Sequence, residues 1–467
     1  MQHIYAAYLC NYIPASLTLQ IGKKSKGEKR KMQGNIVVFG ADGYIGWPLA
    51  LHLGQLSNDK VVLVDNFVTR KLVRSVKSDS LVPIRSMHRR IEAYRKLTGK
   101  DNLEFYPADA RDPSIVDKII SDYKPSAIVH LAQQRSAPFS MIDQEHALYT
   151  QLANITTNLN IIYSMLRHVP DSHLLKMGTM GEYGTPGIKI TEGDVEISID
   201  GRKSRLMFPR TGQSWYHLSK VFDTFNVLLA NRVHALRATD VMQGVVYGTR
   251  TDEIVDDSLA TRFDFDSIWG TVINKYVVQA VLFKKLLIYG KGKQKRGFLS
   301  LYDSIKCLTL LLENPPEPGK YRVVNQLDEI YDTLALAEKV SSIAEEYGID
   351  VKLETVKNPR VEAEEHFYDV EHKILPSLGF TRSKNMDEVI REIFETVIAN
   401  RARAESMKHL VYPTVYWQTA RQITSSNFPL PREVFSILNP REIEMADMEL
   451  EAEQFNLFSD AKRSNHN

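Results

Sequence analysis

Residues 35–46 read Asn-Ile-Val-Val-Phe-Gly-Ala-Asp-Gly-Tyr-Ile-Gly, and this stretch decides the fold. The apolar run 35–39 has the length of a buried strand, and glycines follow it at 40, 43 and 46. Glycines let the chain turn sharply and bring backbone N–H groups close to a pyrophosphate. At the mouth of a helix, unpaired N–H groups and the helix dipole also favour an anion. The stretch 44–56 supplies that helix, and 60–65 (Lys-Val-Val-Leu-Val-Asp) supplies a second buried strand. Asp65 closes it nineteen residues past Gly46, the position of a carboxylate on an adenosine ribose. Strand, glycine loop, helix, strand and acid, in that order, predict a dinucleotide site. A carboxylate there repels a 2′-phosphate and favours NAD over NADP, a preference tempered by Arg70 nearby.

Outward from this unit, strands at 103–107, 127–130, 174–177 and 238–246 alternate with helical stretches around 148–167 and 214–234. Strands separated by helices at this spacing predict a doubly wound, Rossmann-type α/β fold with helices on both faces of a parallel sheet. Past residue 250 the rhythm changes. Helices at 268–283, 303–313 and 333–346 and strands at 286–289 and 321–324 read as a smaller α/β lobe beside the sheet. The expected organisation is an extension at 1–32, a dinucleotide-binding domain with the catalytic residues at 33–250, a substrate lobe at 251–420 with interleaved boundaries, and an acidic tail at 421–467.

The 467 residues are 43% apolar and 25% charged, with a net charge of +2, which excludes disordered and collagen-like classes and gives no footprint for nucleic acid. Charge gathers at the ends: residues 23–31 carry six bases and one acid, and 441–467 carry three bases and seven acids. Both ends read as solvated extensions. A basic stretch at 70–100 reads as a solvated helix face. With only Cys10 and Cys307 there is no disulfide framework or thiolate metal site, no metal is expected, and a reducing, cytoplasmic location is the default. No stretch of about 18 apolar residues occurs, so no membrane span is expected. In the N-terminal segment the basic run follows the mildly apolar 8–21, the wrong order for a secretory signal. A start at Met32 is the preferred reading, with an organellar (plastid) presequence as the alternative.

The chemistry-bearing motif is Tyr216-His-Leu-Ser-Lys220. Four residues span about one helical turn, so the phenol and the ammonium share a face. An ammonium beside a phenol favours phenolate, a base able to take a hydroxyl proton as hydride leaves the same carbon. Thr179, closing an earlier strand, is placed to hold the reacting oxygen.

These elements resemble the extended short-chain dehydrogenase/reductase superfamily and, within its NAD-dependent epimerase/dehydratase type, the UDP-sulfoquinovose synthase family of sulfolipid biosynthesis. The residues that carry the closer resemblance are Gln134-Arg-Ser-Ala-Pro-Phe-Ser-Met-Ile-Asp143, Gly178-Thr-Met-Gly-Glu-Tyr-Gly-Thr-Pro186, Trp215-Tyr-His-Leu-Ser-Lys220, Gln243-Gly-Val-Val-Tyr-Gly248, Thr251-Asp-Glu253 and Asn358-Pro-Arg-Val-Glu-Ala-Glu-Glu-His366. The similarity runs over about 35–417. It implies UDP-glucose and sulfite as substrates, catalytic NAD, a 4-ketone and a 5,6-alkene as intermediates, and UDP-sulfoquinovose as product. It also implies Thr179, Tyr216 and Lys220 as catalytic residues, with His217 and Glu182 as candidates for expelling the C6 hydroxyl. Cofactor contacts fall on Gly40, Asp42, Gly43, Tyr44, Ile45, Gly46, Asp65, Asn66, Arg70, Asp109, Ala110, Leu131 and Asn154, besides Tyr216 and Lys220. Substrate contacts fall on Arg135, Thr179, Met180, Gly181, Tyr216, Gln243, Arg296, Arg360 and Glu362. Guanidinium suits the anions because its planar fork binds two oxygens at once.

Departures from the family pattern are informative. Sugar 4,6-dehydratases carry an Asp-Glu pair after the active Thr, where this chain has Met180 and Gly181. Gln133 stands where plant members have Glu, and Ser300 and Tyr302 replace a polar pair. Two alternatives stay open: an NAD-dependent UDP-hexose 4-epimerase or dehydratase that ignores sulfite, and a non-catalytic NAD- or RNA-binding member of the fold. A homodimer through the helices at 148–167 and 216–234 is expected from the superfamily, and a partner protein that delivers sulfite fits the chemistry.

Overall fold

The computed structural model describes residues 33–417 and 428–464. The extension expected at 1–32, and with it the choice between a late start and a presequence, lies outside the described residues. Seven strands form one parallel sheet: β1 (Ile36–Phe39), β2 (Val61–Asp65), β3 (Leu103–Pro107), β4 (Ala127–His130), β5 (His173–Met177), β6 (Ala238–Gln243) and β7 (Tyr321–Gln326), in the order β7-β6-β5-β4-β1-β2-β3. The central strands are apolar on both faces because helices cover both, so β1 and β4 are buried end to end. Their register sets Val38 against Leu63 and Val129.

The order reverses between β1 and β4, so the loops that leave them diverge and open a crevice, the ligand position of an open α/β sheet. Helix α1 (Gly46–Leu56) returns from β1 to β2. The helices α4 (Gln144–His168) and α5 (Trp215–His234) lie side by side, joined by a 2.9 Å hydrogen bond from Asn154 Nδ2 to Ser219 Oγ.

The run 238–246, expected as one strand, is two. It breaks at Gly244, where an added Cβ would stand 2.7 Å from the Gly297 carbonyl oxygen, and Val245–Tyr247 joins a separate three-stranded sheet. That sheet, a two-stranded one, and the helices Val272–Phe283, Thr333–Glu346 and Met386–Ala399 share a second apolar core. The expected substrate lobe is not contiguous in space, since β7 comes from within it and forms the edge of the main sheet.

The C-terminal tail is not a solvated extension. Residues Pro440–Ser464 form a helix, α6, on which Ile443, Asp447, Leu450 and Gln454 are buried at helical spacing. It lies on the basic stretch, where α2 (Val68–Ser75) and α3 (Met87–Thr98) present their arginines. Glu451 meets Arg89 at 3.2 Å and Arg85 at 3.6 Å, Glu453 pairs with Arg74, and the Ile84 N–H donates to Gln454 Oε1 at 2.8 Å. The two charge runs that the sequence leaves as separate solvated faces neutralise each other. Among the described residues no helix is long and apolar enough to cross a membrane.

Candidate active site

A cavity of about 390 Å³ opens at the crevice. Its walls carry the glycine loop, the residues that follow β4 and β5, the start of α5, and arginines of the second lobe. Gly40 (φ +86°) is required by close approach: a Cβ would lie 2.6 Å from the Leu131–Ala132 backbone, where the β1 and β4 loops touch. At Gly46 a Cβ would lie 2.1 Å from the Gly40 carbonyl oxygen. Helix α1 starts there without a side-chain cap; the Trp47 and Leu49 N–H groups are bonded to the Gly43 and Ile45 carbonyls and Pro48 has none, so it is the N–H groups at the end of the loop, up to Gly46, that are left for an anion. This cradle fits a pyrophosphate.

Thr179 follows β5 and caps a short turn, accepting from the Gly181 N–H at 3.2 Å. Tyr216 and Lys220 lie one turn apart on α5, both on the cavity wall with Thr179 and His217. Burial pushes the Tyr216 phenol well above its ordinary range, aided by Glu182 and opposed by Arg135 and the Thr179 hydroxyl. Burial, together with Lys176, brings the Lys220 ammonium down to about 8. The expectation that Lys220 draws the phenol down is not what the geometry gives. Lys220 Nζ donates to Gln133 Oε1, and burial dominates at the phenol.

Gln133 has its own logic. Its carbonyl oxygen accepts from Lys220, and its amide nitrogen donates to Asp223, whose carboxyl burial raises to about 7. A neutral amide joins a cation to an acid here, whereas a glutamate would set two carboxylates side by side. Beneath lie Lys176, 3.1 Å from Asp240, and Arg210, 3.4 Å from Glu182. Sequence reasoning missed Lys176. The available signal was a lysine inside the otherwise apolar strand β5, fully buried in the fold.

Glu182, expected as an acid for water loss, lies behind the wall. Its carboxylate accepts from the Thr179 N–H at 3.2 Å and the Thr224 hydroxyl at 2.8 Å, beside Lys176 and Arg210, and holds the Thr179 turn. Asn154, expected at the cofactor, is likewise internal, exchanging hydrogen bonds with the Gln134 backbone at 2.8 and 3.0 Å. His217 does face the cavity, and a Cβ on Gly181 would stand 2.3 Å from its Nε2. The imidazole therefore occupies the space of the missing acid's side chain. Burial, with Arg360 and Arg296 near, brings it down to about 3, so it is neutral at pH 7.

At the adenosine end, Asp65 Oδ2 accepts from the Asp42 N–H at 2.8 Å and Oδ1 from the Phe67 N–H at 2.7 Å. Burial and the neighbouring Asp42 raise this carboxyl to about 7. Asp42 itself is taken by Arg70, which grips it through Nε at 2.8 Å and Nη2 at 2.6 Å, and by Arg90. Asn66 donates to Asp109 at 2.9 Å, Arg111 closes over Asp109, and Asn160 donates to the Ala110 carbonyl at 3.0 Å. These groups lie beyond the cavity wall, whereas Gly40, Gly43, Tyr44, Ile45, Gly46 and Leu131 line it.

At the other end, Arg296 pairs with Glu362, which accepts from Asn358 at 3.2 Å. Burial works against the Glu362 carboxylate, but Arg296 and Arg360 hold it below its usual range. Arg360 lies over the Trp417 ring at 5.6 Å. Arg135 pairs with Asp264 and lies over Trp269, with its Nε buried and unpartnered. Gln243 is held by Ser304 and Gln326, each at 3.1 Å, and Met180 and Gly181 complete the wall. Sequence reasoning also missed Lys275, a buried cation on this wall with no ion pair among the described residues, brought down to about 8 by burial and by Arg360. Ser300 and Tyr302 do not reach the cavity. Ser300 caps the helix Leu301–Glu313, and Tyr302 meets Glu392.

Comparison with known proteins agrees with this geometry. Residues 36–325 match the model of the NAD dependent epimerase/dehydratase family. The chain is 46% identical over 389 residues to the UDP-sulfoquinovose synthase of Sulfolobus acidocaldarius, covering 83% of this chain and 98% of that one. It is 39% identical over 395 residues to the chloroplastic UDP-sulfoquinovose synthase of Spinacia oleracea, covering 84% and 80%. Among solved structures, a UDP-glucose-4-epimerase from Stenotrophomonas maltophila, with bound NAD and formylated UDP-arabinopyranose, shares the fold at a TM-score of 0.59 and 17% identity over 80% of this chain and all of that one.

Proposed function

The chain belongs to the UDP-sulfoquinovose synthases of the NAD-dependent epimerase/dehydratase family, and from that premise we propose that it joins sulfite to C6 of UDP-glucose to give UDP-sulfoquinovose and water. NAD is the cofactor. When bound it supplies a hydride acceptor that later returns the hydride, so the net reaction is not a redox change.

The observation that carries the reading is the wall beside Tyr216, where a neutral imidazole 5.2 Å from the phenol ring, seated on Gly181, stands in place of a dehydratase's acid pair. In this reading Tyr216 works as the phenolate, which the positive charge of bound NAD⁺ and the nearby Lys220 would favour over the buried phenol; it takes the proton from the sugar 4-hydroxyl, and the Thr179 hydroxyl holds that oxygen. The 4-ketone acidifies C5–H, and the neutral His217 takes that proton and delivers it to the departing C6 hydroxyl. Sulfite adds through sulfur to C6 of the resulting alkene, C5 takes up the proton that accompanies sulfite as bisulfite, and Tyr216 gives its proton back to the C4 oxygen as the ketone returns to the alcohol. Two fewer carboxylates on the wall favour a dianionic nucleophile. Arg135, with its Nε buried and unpartnered, suits that anion. Arg296, Arg360 and Lys275 suit the diphosphate, and Glu362 suits the uridine ribose. Glu182 keeps Thr179 in position and takes no proton.

The test is incubation with UDP-glucose and NAD, with and without sulfite. A sulfonated nucleotide sugar that forms only with sulfite supports the reading. UDP-galactose in both tubes replaces it with a 4-epimerase.

The same reading includes a homodimer. Along α4 and α5, Leu148, Leu152, Tyr163, Trp215, Phe222, Phe225, Leu229 and Val233 are exposed, an apolar face suited to a second copy. Sedimentation at twice the monomer mass supports it, and a monomer at micromolar concentration rejects it.

A further inference from the structure

Asp447 lies 377 residues from Arg70 in sequence, yet the two share one buried cluster with Asp42 and Arg90 at the adenosine end of the site. Arg70 follows β2 within five residues of Asp65, the region from which an arginine accommodates a 2′-phosphate in NADP-binding relatives of the fold. Here that guanidinium is enclosed by two carboxylates, with Nε and Nη2 hydrogen-bonded and Nη1 buried in an ion-pair contact alone. Its Nε and one terminal nitrogen grip Asp42, the same nitrogen reaches the Arg85 carbonyl at 3.3 Å, and Nη1 faces Asp447 Oδ1 at 3.5 Å. Asp447 is held in turn by the Met87 N–H at 2.7 Å. The helix α6 that carries it is pinned through Glu451, Glu453 and Gln454.

The charged groups of the neighbourhood are three carboxylates, Asp42, Asp65 and Asp447, against two guanidiniums, Arg70 and Arg90. Arg262, which also acts on Asp42, shares Asp264 with Arg135. Without the Asp447 carboxylate, Arg70 Nη1, which makes no hydrogen bond, would face no anion.

We propose that Asp447, acting through Arg70, is a specificity-determining positioning residue for the cofactor, and that the C-terminal helix thereby enforces NAD over NADP. The proposal rests on the NAD reading above. Its structural premise is the enclosure of one guanidinium between Asp42 and Asp447. Asp447 does not touch the dinucleotide. It denies a phosphate-binding cation to the 2′ position.

The test uses the full-length protein incubated with an equimolar mixture of NAD and NADP and then desalted, after which the bound dinucleotides are separated and quantified. Asp447→Asn keeps the shape and the acceptor for Met87, and should narrow the bound NAD:NADP ratio by about tenfold or more. Asp447→Asn combined with Arg70→Met should restore the wild-type rejection of NADP, because the freed cation is gone. Glu451→Gln, an ion pair on the same helix that does not reach Arg70, serves as control and should lower the melting temperature with the ratio unchanged. If Asp447→Asn does not accumulate as folded protein, the charge-balanced Asp447→Asn/Arg90→Met variant is read in its place, with the same expected direction. An unchanged ratio in the folded variant overturns the proposal while leaving the NAD reading intact. A wild-type protein that retains neither dinucleotide overturns both.

Discussion

Two buried charge clusters flank the cofactor cradle, and they behave in opposite ways. Under the catalytic residues, Lys220 is brought down to about 8 and Asp223 up to about 7, linked by the amide of Gln133. At the adenosine end, the Asp42 carboxyl is held at about 2: burial works against it, but the two guanidiniums win. The first cluster joins its charges through a neutral bridge, so desolvation prevails and the groups titrate near working pH. The second sets Asp42 in direct contact with two guanidiniums, so Coulomb attraction prevails there and Asp42 stays charged, although burial raises its neighbours Asp65 and Asp447. One region is poised to move protons, and the other is built to hold a shape.

The largest expected effect is on the proton-moving side. Tyr216→Phe should lower turnover by at least about 10²–10⁴-fold while the protein retains bound dinucleotide, as measured by product formation and by absorbance of the desalted protein. The shape-holding side should answer with stability instead. Asp42→Asn removes the charge of the carboxylate to which both buried guanidiniums are hydrogen-bonded, and should cost about 3–5 kcal/mol in denaturant unfolding. A cost below about 1 kcal/mol, in the range of an exposed pair, would erase the distinction between the clusters.

A third variant, Gly181→Ala, places a methyl group where His217 sits, 2.3 Å from Nε2. It should displace the imidazole, costing about 1–3 kcal/mol of stability and lowering kcat more than it raises KM. Unchanged kinetics would remove His217 from the chemistry. The subtlest test is Gln133→Glu, which sets a carboxylate against the Lys220 ammonium. In the parent, Lys220 loses its proton near pH 8, so an alkaline limb should appear there. In the variant the ammonium is favoured and the limb should move up by about 1–3 units. The sign for stability follows. A lysine depressed in the folded state costs stability below its folded value, and that cost is relieved as pH rises from about 8 toward 10.5. The variant should flatten this rise in a pH series of melting temperatures.

Much of the fold was legible because it rests on local pattern. The apolar run before Gly40, the glycine spacing, Asp65 and the one-turn Tyr216–Lys220 pair are all read within short windows, and the parallel sheet follows from strands alternating with helices. The site was legible where one motif supplied both partners. It failed where the partner was distant. Glu182 reads as an acid by its place after Thr179, yet Thr224, Lys176 and Arg210 claim it. Asn154 and Lys275 are defined by neighbours on other elements. Gly244 interrupts an apparently continuous strand only because Gly297 lies against it.

The amino-acid order by itself determined the doubly wound sheet, the dinucleotide cradle and the phenol–amine pair, since periodicity, glycine geometry and helical spacing act over a few residues. Only the tertiary structure decided which charges are active and which are fixed. It folded an acidic end onto a basic stretch hundreds of residues away and set an imidazole against a glycine. The reason is physical: the ionisation of a buried group depends on desolvation and on charges within a few ångströms, and those neighbours are assembled by the fold rather than by adjacency along the chain.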